Sequence, residues 1–161
     1  MSGGKPVKVV RGVDLQRYMG RWYELASFPS FFQPANATDT RATYSLNADG
    51  TVNVFNETWS NGVRISIQGL AFKANPNSDE AKLKVRFTFP PTVGDYWIIY
   101  LDGSYQLAVV GDPGRTSLFL LSRKAQVCEA TYNKLVAKAR QQGYDVSKLR
   151  RTFQSSIPPV S

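Results

Sequence analysis

Residues 40–62 read TRATYSLNADGTVNVFNETWSNG: two runs that alternate between apolar and polar side chains, separated by Asn47-Ala48-Asp49-Gly50 and closed by Ser60-Asn61-Gly62. Alternation with period two belongs to an extended chain with one buried face, and Asn, Asp and Gly at the joints supply turn conformations. The stretch is predicted as two strands, 40–46 and 51–59, each followed by a hairpin turn.

Working outward, the same grammar repeats. Upstream, 21–28 (RWYELASF) reads as a strand ending before Pro29, and 30–36 (SFFQPAN) as a loop carrying Phe31 and Phe32. Downstream, strands are predicted over 63–73, 82–89, 96–101, 105–110 and 117–122, with turn chemistry at 74–80, Pro90-Pro91, Asp102-Gly103 and Gly111-Asp112-Pro113-Gly114. Eight short strands without intervening helices allow no parallel crossovers, so they form an antiparallel up-and-down meander. Closing that meander into a barrel removes both exposed edges, and a barrel of eight strands has room for one small ligand.

The ends differ from the middle. Residues 14–20 (DLQRYMG) read as a short helical turn with Asp14 as N-cap and Gly20 as its stop. Residues 129–142 place Tyr132, Leu135, Val136 and Ala139 at helical spacing before Gly143, which predicts one C-terminal helix packed outside the barrel. Residues 146–153 return as an extra short strand, and 155–161 form a loose tail. The expected organisation is a single domain over 1–161, all-β in class, with the barrel at 20–123.

Composition narrows the function. In 161 residues, hydrophobic side chains make up 42% and charged ones 20%, which suits one globular domain with a real core. A lone cysteine, Cys128, rules out an internal disulfide and fits a reducing compartment. The N-terminus lacks an apolar run of secretory length, so the expected location is cytoplasmic, not secreted, with peripheral contact at the plasma membrane or another membrane face. The formal charge of +8 favours anionic surfaces such as acidic lipid headgroups. Basic helices, zinc-ligand spacing and RNP-type aromatic strands are missing from the sequence, so no nucleic-acid partner is expected. Oligomeric state is left open.

Gly20-Arg21-Trp22-Tyr23-Glu24 resembles the lipocalin G-x-W signature at the start of the first barrel strand. Leu101-Asp102 and Gly111-Asp112-Pro113 lie near the second signature, and Leu121-Ser122-Arg123 is similar to the third, in the same order along the chain. The resemblance covers nearly the whole chain. It is nearest to the plant temperature-induced branch, with bacterial outer-membrane lipocalins and apolipoprotein D beside it, through 17–24, 39–44, 56–62 and 143–149. The chain departs from the plant pattern between the fifth and sixth strands, where only Pro90-Pro91-Thr92-Val93-Gly94 stands in for a longer proline-rich loop. That departure moves the expected membrane contact to Phe31 and Phe32.

The resemblance implies a carrier that binds a fatty acid, lysolipid or other small hydrophobic molecule in the barrel, with a role in membrane, oxidative or temperature stress. It also implies that Gly20, Trp22 and Arg123 are structural, with the Arg123 guanidinium stacked on the Trp22 indole and capping backbone carbonyls at the closed end. Tyr44, Asn56 and Thr58 are placed inside by the same resemblance, and alternation then brings Ala42, Leu46 and Val54 with them. Parity from Trp22 puts Glu24, Ala26 and Phe28 inward, and parity from Arg123 does the same for Leu121 and Phe119. Ile67, Gly69 and Ala71 suit the fourth strand, while Leu83, Val85, Phe87 and Phe89 form the apolar face of the fifth. The sixth strand is apolar on both faces, and Trp97 and Ile99 are taken as its inward residues.

An apolar cavity with a few polar groups is the usual make-up of a small-molecule site, and Tyr44, Asn56, Thr58 and Arg41 are candidates to orient a polar head. No catalysis is expected. The sequence has no histidine, Glu24 has no obvious second acid, and Cys128 falls beyond the barrel strands. No metal or cofactor is implied, and the sequons at Asn36 and Asn56 would stay unmodified without secretory entry. The alternatives are a lipid-modifying enzyme and a protein-binding scaffold whose barrel is merely filled.

Overall fold

The computed structural model describes residues 4–30 and 32–160. A one-turn helix, α1 (Leu15–Tyr18), precedes eight antiparallel strands: β1 (Gly20–Ser27), β2 (Thr38–Leu46), β3 (Val52–Ser60), β4 (Val63–Lys73), β5 (Lys82–Phe87), β6 (Thr92–Leu101), β7 (Leu107–Gly111) and β8 (Leu118–Ser122). Helix α2 (Glu129–Gln141) follows, then a single 3-10 turn (Val146–Lys148) and a two-residue β9 (Arg150–Arg151). Each strand pairs with the next, and β1 pairs with both β8 and β2, so the sheet closes into a barrel. Asp14 caps α1 through its side chain, which accepts from the Gln16 and Arg17 N–H groups.

One end of the barrel is sealed. The Arg123 guanidinium lies 3.9 Å from the Trp22 ring centre and donates to the carbonyls of Arg17, Arg21 and Tyr105. With Trp22 buried and Arg123 still partly in contact with solvent, the stacking contributes about 0.5–1 kcal/mol, and the guanidinium donors also satisfy three backbone carbonyls. Trp22 is fully buried and its indole N–H donates to the Tyr18 carbonyl at 2.8 Å. Gly20 adopts φ +98°, and a side chain there would also meet the Arg123 guanidinium, so glycine suits the join between α1 and β1 on two counts. The alternate strand directions put the joints at 28–37, 61–62, 88–91 and 112–117 at the opposite, open end.

Two apolar layers result. Trp22, Tyr18, Tyr44, Val52, Val54, Leu83, Val85, Ile98 and Leu121 pack inside the barrel. Leu25, Phe28, Ile99, Val109, Leu118 and Leu120 pack outside it against Tyr132, Leu135 and Ala139 of α2. The helix therefore acts as a second core on the barrel wall, which leaves the interior free of the duty to supply all the buried apolar surface.

Several expected boundaries move. β5 stops at Phe87, because Phe87 already pairs with Thr92 and residues 88–91 form the turn; Phe89 is left 83% exposed and does not line the barrel. Tyr105 belongs to a turn, with φ +59°, and β7 begins at Leu107, where the Asp102 carboxylate accepts from the Gln106 and Leu107 N–H groups. The expected loose tail is tied at two points. Ser155 donates to the Asp39 carboxylate, and the Pro159 carbonyl accepts from Arg41 at 2.6 Å.

Candidate functional site

The barrel encloses a cavity of about 410 Å³ that opens between the joints of the unsealed end. That volume falls within the ordinary range for small-molecule sites. Ala42, Tyr44 and Val54 on the β2–β3 hairpin, Val85 and Phe87 on β5, and Phe119 and Leu121 on β8 form its walls. The space exists because small residues face it in the upper barrel. At Gly69, a Cβ would come within 2.7 Å of the Phe87 ring, so the absent side chain is what lets that ring lie flat on β4.

Tyrosines form the floor. Tyr96 Oη shares hydrogen bonds of 2.8 Å with both Tyr18 Oη and Tyr44 Oη. Burial pushes the Tyr18 and Tyr96 phenols well above their ordinary value and Tyr44 up to about 12, so all three keep their protons at physiological pH.

The upper wall carries a polar network. β1 pairs with β2 only from Gly20 opposite Tyr44 to Tyr23 opposite Arg41, and the C-terminal segment fills the gap above. Thr152 N–H donates to the Leu25 carbonyl, and the Gln154 amide donates to the Glu24 and Thr40 carbonyls at 2.9 and 2.8 Å. Through this seam the Thr152 hydroxyl reaches the Glu24 carboxyl, which also accepts from Gln33 at 2.9 Å. Gln33 lies in the 28–37 joint and donates to Thr40 as well. Burial raises the Glu24 carboxyl from its ordinary value near 4.5 to about 7, and the hydrogen bonds from Thr152 and its neighbours only partly offset this.

Of the residues singled out in the sequence, Ala42, Tyr44, Asn56, Val85, Phe87, Phe119 and Leu121 border the cavity together with Glu24. Thr58 is buried and spent on the wall, sharing a 2.7 Å hydrogen bond with Thr40. Ile67 stands opposite Asn56 but above the last β4–β5 pair, Gly69 with Phe87, and does not reach the cavity boundary. Arg41 borders the cavity, yet its guanidinium is engaged by Glu57 at 3.1 Å and lies over Trp59.

Phe28 and Ala26 face outward because a bulge at Leu25 shifts the β1–β8 register and reverses the parity counted from Trp22. Trp97 and Ile99 face outward too. Tyr96 pairs with the inward Leu83, so Tyr96 and Ile98 take the inner positions, and Trp97 lies under the Lys82 ammonium outside. Phe32 lines the cavity mouth, and Phe31 lies outside the described residues. Cys128 is exposed at the start of α2, away from the cavity.

Gln33, Thr152, Tyr18 and Tyr96 were not anticipated as site residues. Tyr96 had a legible signal, since the tight 88–91 turn fixes it opposite Leu83. The others meet their partners through tertiary folding alone.

Residues 13–154 match the family model described as the Lipocalin-like domain. Temperature-induced lipocalin-1 of Arabidopsis thaliana is 58% identical, with all of this chain and 90% of that protein aligned. The outer membrane lipoprotein Blc of Escherichia coli K12 is 38% identical over 88% of this chain and 80% of its own length. Among solved structures, insecticyanin from the tobacco hornworm Manduca sexta superposes with a TM-score of 0.74 at 20% identity, over 94% of this chain and 86% of that one. That last likeness bears on the fold alone.

Glu24 gives a stability test. Its carboxyl holds a proton more tightly in the fold, at about 7, than in the unfolded chain, near 4.5, so its contribution to stability is lost as pH rises between those values. From about pH 5 to about pH 8 the native chain should lose on the order of 2 to 3 kcal/mol more stability than Glu24→Gln, measured by urea unfolding. Equal pH dependence in the two proteins would contradict the assignment.

Proposed function

This chain belongs to the lipocalin family, and we propose that it carries or sequesters a small hydrophobic lipid, such as a fatty acid or lysolipid, in the barrel cavity without changing it chemically. The observation that carries this reading is the cavity of about 410 Å³, walled by apolar side chains and open at one end. Burying roughly fifteen methylenes at ~0.8 kcal/mol each contributes a gross ~12 kcal/mol, against which association and ordering costs are set. Affinities between micromolar and tens of nanomolar follow.

A carrier is favoured over an enzyme by the environment of the cavity acid. Glu24 is held by Gln33 and Thr152 in a structural seam, whereas general acid-base work calls for a second group positioned on the substrate. A carrier is favoured over a filled scaffold by the unfilled upper barrel. The proposed location is the cytoplasm, at a membrane face. The name of the Arabidopsis relative ties that protein to temperature, and on that likeness we extend the proposal to protection of membranes under temperature or oxidative stress.

The surface around the cavity mouth supports the membrane part. Phe89 and Val93 are 83% and 60% exposed beside the 88–91 turn, and Val63 is 64% exposed on the neighbouring joint. These side chains, more than Phe32, form the apolar rim of a chain with formal charge +8. A rim of this kind inserts shallowly into an interface while the cations meet acidic headgroups.

Two measurements check the proposal. Titrating delipidated protein with fatty acids, lysolipids, sterols and porphyrins should give saturable one-to-one binding by tryptophan quenching and native mass spectrometry. Phe119→Ala should weaken it by roughly tenfold, the cost of one lost aromatic wall contact; no binding across the panel would favour the scaffold. In vesicle flotation, binding should rise with anionic lipid and fall with salt. Equal binding to neutral vesicles at high salt would overturn the electrostatic part.

A further inference from the structure

The polar groups facing the cavity specify more than an apolar sleeve requires. Tyr18, Tyr96 and Tyr44 share two hydrogen bonds among three hydroxyls, and each hydroxyl carries one proton. Whichever way the donors turn, one phenolic proton is left over. Burial keeps all three phenols protonated, so deprotonation does not remove it. Two of the three donor arrangements leave it on Tyr44 or Tyr96, both of which border the cavity, and an acceptor placed there would select those arrangements.

Asn56 adds a second unspent group. It faces the cavity from β3, opposite Ala42 and two residues above Val54, which pairs with Tyr44. That spacing is about 7 Å along the wall. Its carboxamide makes no hydrogen bond to any described residue. Two donors thus stand one above the other on adjacent strands.

Arg123 acts electrostatically on the Tyr18 and Tyr44 phenols from the sealed end, but it does not border the cavity and its guanidinium is taken up by Trp22 and three carbonyls. Among the described residues bordering the cavity, Arg41 is the sole basic one, and its guanidinium is committed to Glu57 and the Pro159 carbonyl. Asp95 borders the mouth and is paired with Lys84 at 2.8 Å, and Glu24 is the carboxyl within. A buried carboxylate needs a paired cation or must take up a proton, whereas a neutral carbonyl needs only a donor.

We propose that the cavity selects a lipid whose buried polar group is an uncharged carbonyl, a ketone, aldehyde or ester, seated on the Tyr44–Tyr96 hydroxyls and Asn56, and that it discriminates against a carboxylate at that depth. This rests on the carrier reading and narrows it. A fatty acid would enter tail first with its carboxylate at the mouth, and a keto or ester lipid would enter carbonyl first.

The test uses delipidated protein and three probes of equal chain length: a long-chain methyl ketone, the alkane and the fatty carboxylate. Affinities come from displacement of a fluorescent apolar probe. The ketone should bind roughly three- to tenfold tighter than the alkane, the worth of one or two neutral hydrogen bonds, whereas the carboxylate, seated at the mouth, should bind with an affinity that Tyr44→Phe and Asn56→Leu leave unchanged. The infrared carbonyl stretch of the bound ketone should move to lower frequency. Tyr44→Phe and Asn56→Leu should each reduce the advantage over the alkane and return part of that shift, with circular dichroism checking the fold. If one of these variants fails to fold, the other decides. A carboxylate whose affinity falls with Tyr44→Phe or Asn56→Leu as the ketone's does, or a carbonyl stretch unchanged from hydrocarbon solvent, would overturn the inference while leaving the carrier reading intact. Failure of all three probes to bind would overturn the carrier reading itself.

Discussion

Closure of the sheet through β1 is the constraint on which the rest depends. An eight-stranded meander has two edges of unpaired backbone groups, and β1 removes both by pairing with β8 on one side and β2 on the other. It does so incompletely. Above Tyr23 the β1–β2 ladder parts, and the backbone groups there are satisfied by β9, Thr152 and Gln154. The C-terminal segment is thus part of the barrel wall, and the placement of Glu24 and Gln33 follows from that seam.

A closed barrel must also do something with its interior. At the sealed end Trp22, Tyr18, Tyr44 and Tyr96 fill it with large rings, stacked, tilted or edge-on at centroid distances of 5.0–5.9 Å. Toward the mouth, Ala42, Val54, Val85, Gly94 and Val110 leave space. Stability is recovered outside, where α2 buries Leu135 and Ala139 completely against the strands. The division between a filled floor, an open upper chamber and an external core is what lets a folded chain of this size keep room for a ligand.

How much of this the sequence discloses depends on whether a local rule governs the residue. Once the family resemblance sets Tyr44 and Asn56 inward, alternation in β2 and β3 brings Ala42 and Val54 to the cavity and, in β5, Val85 and Phe87, whereas Leu46, expected beside them, is 41% exposed at the end of β2. Parity fails where a bulge intervenes, at Leu25, which turns Ala26 and Phe28 outward, and it gives no direction on β6, whose two apolar faces serve different cores. In β6 the inner face packs in the barrel and the outer face meets α2, so hydrophobicity does not separate Trp97 from Tyr96. The Glu24–Thr152 contact links residues 128 positions apart and has no counterpart in local pattern. The tyrosine floor is of the same kind, since three phenols from α1, β2 and β6 meet only once the barrel has closed.

The central claim is that the upper chamber is the binding site. Nuclear Overhauser contacts between a bound lipid and methyl-labelled protein test it most directly. Contacts are expected from the acyl protons to Val54, Val85, Val110 and Leu121, all of which face the interior. Contacts confined to Leu25, Val109 or Leu135, on the outer face beneath α2, would contradict it.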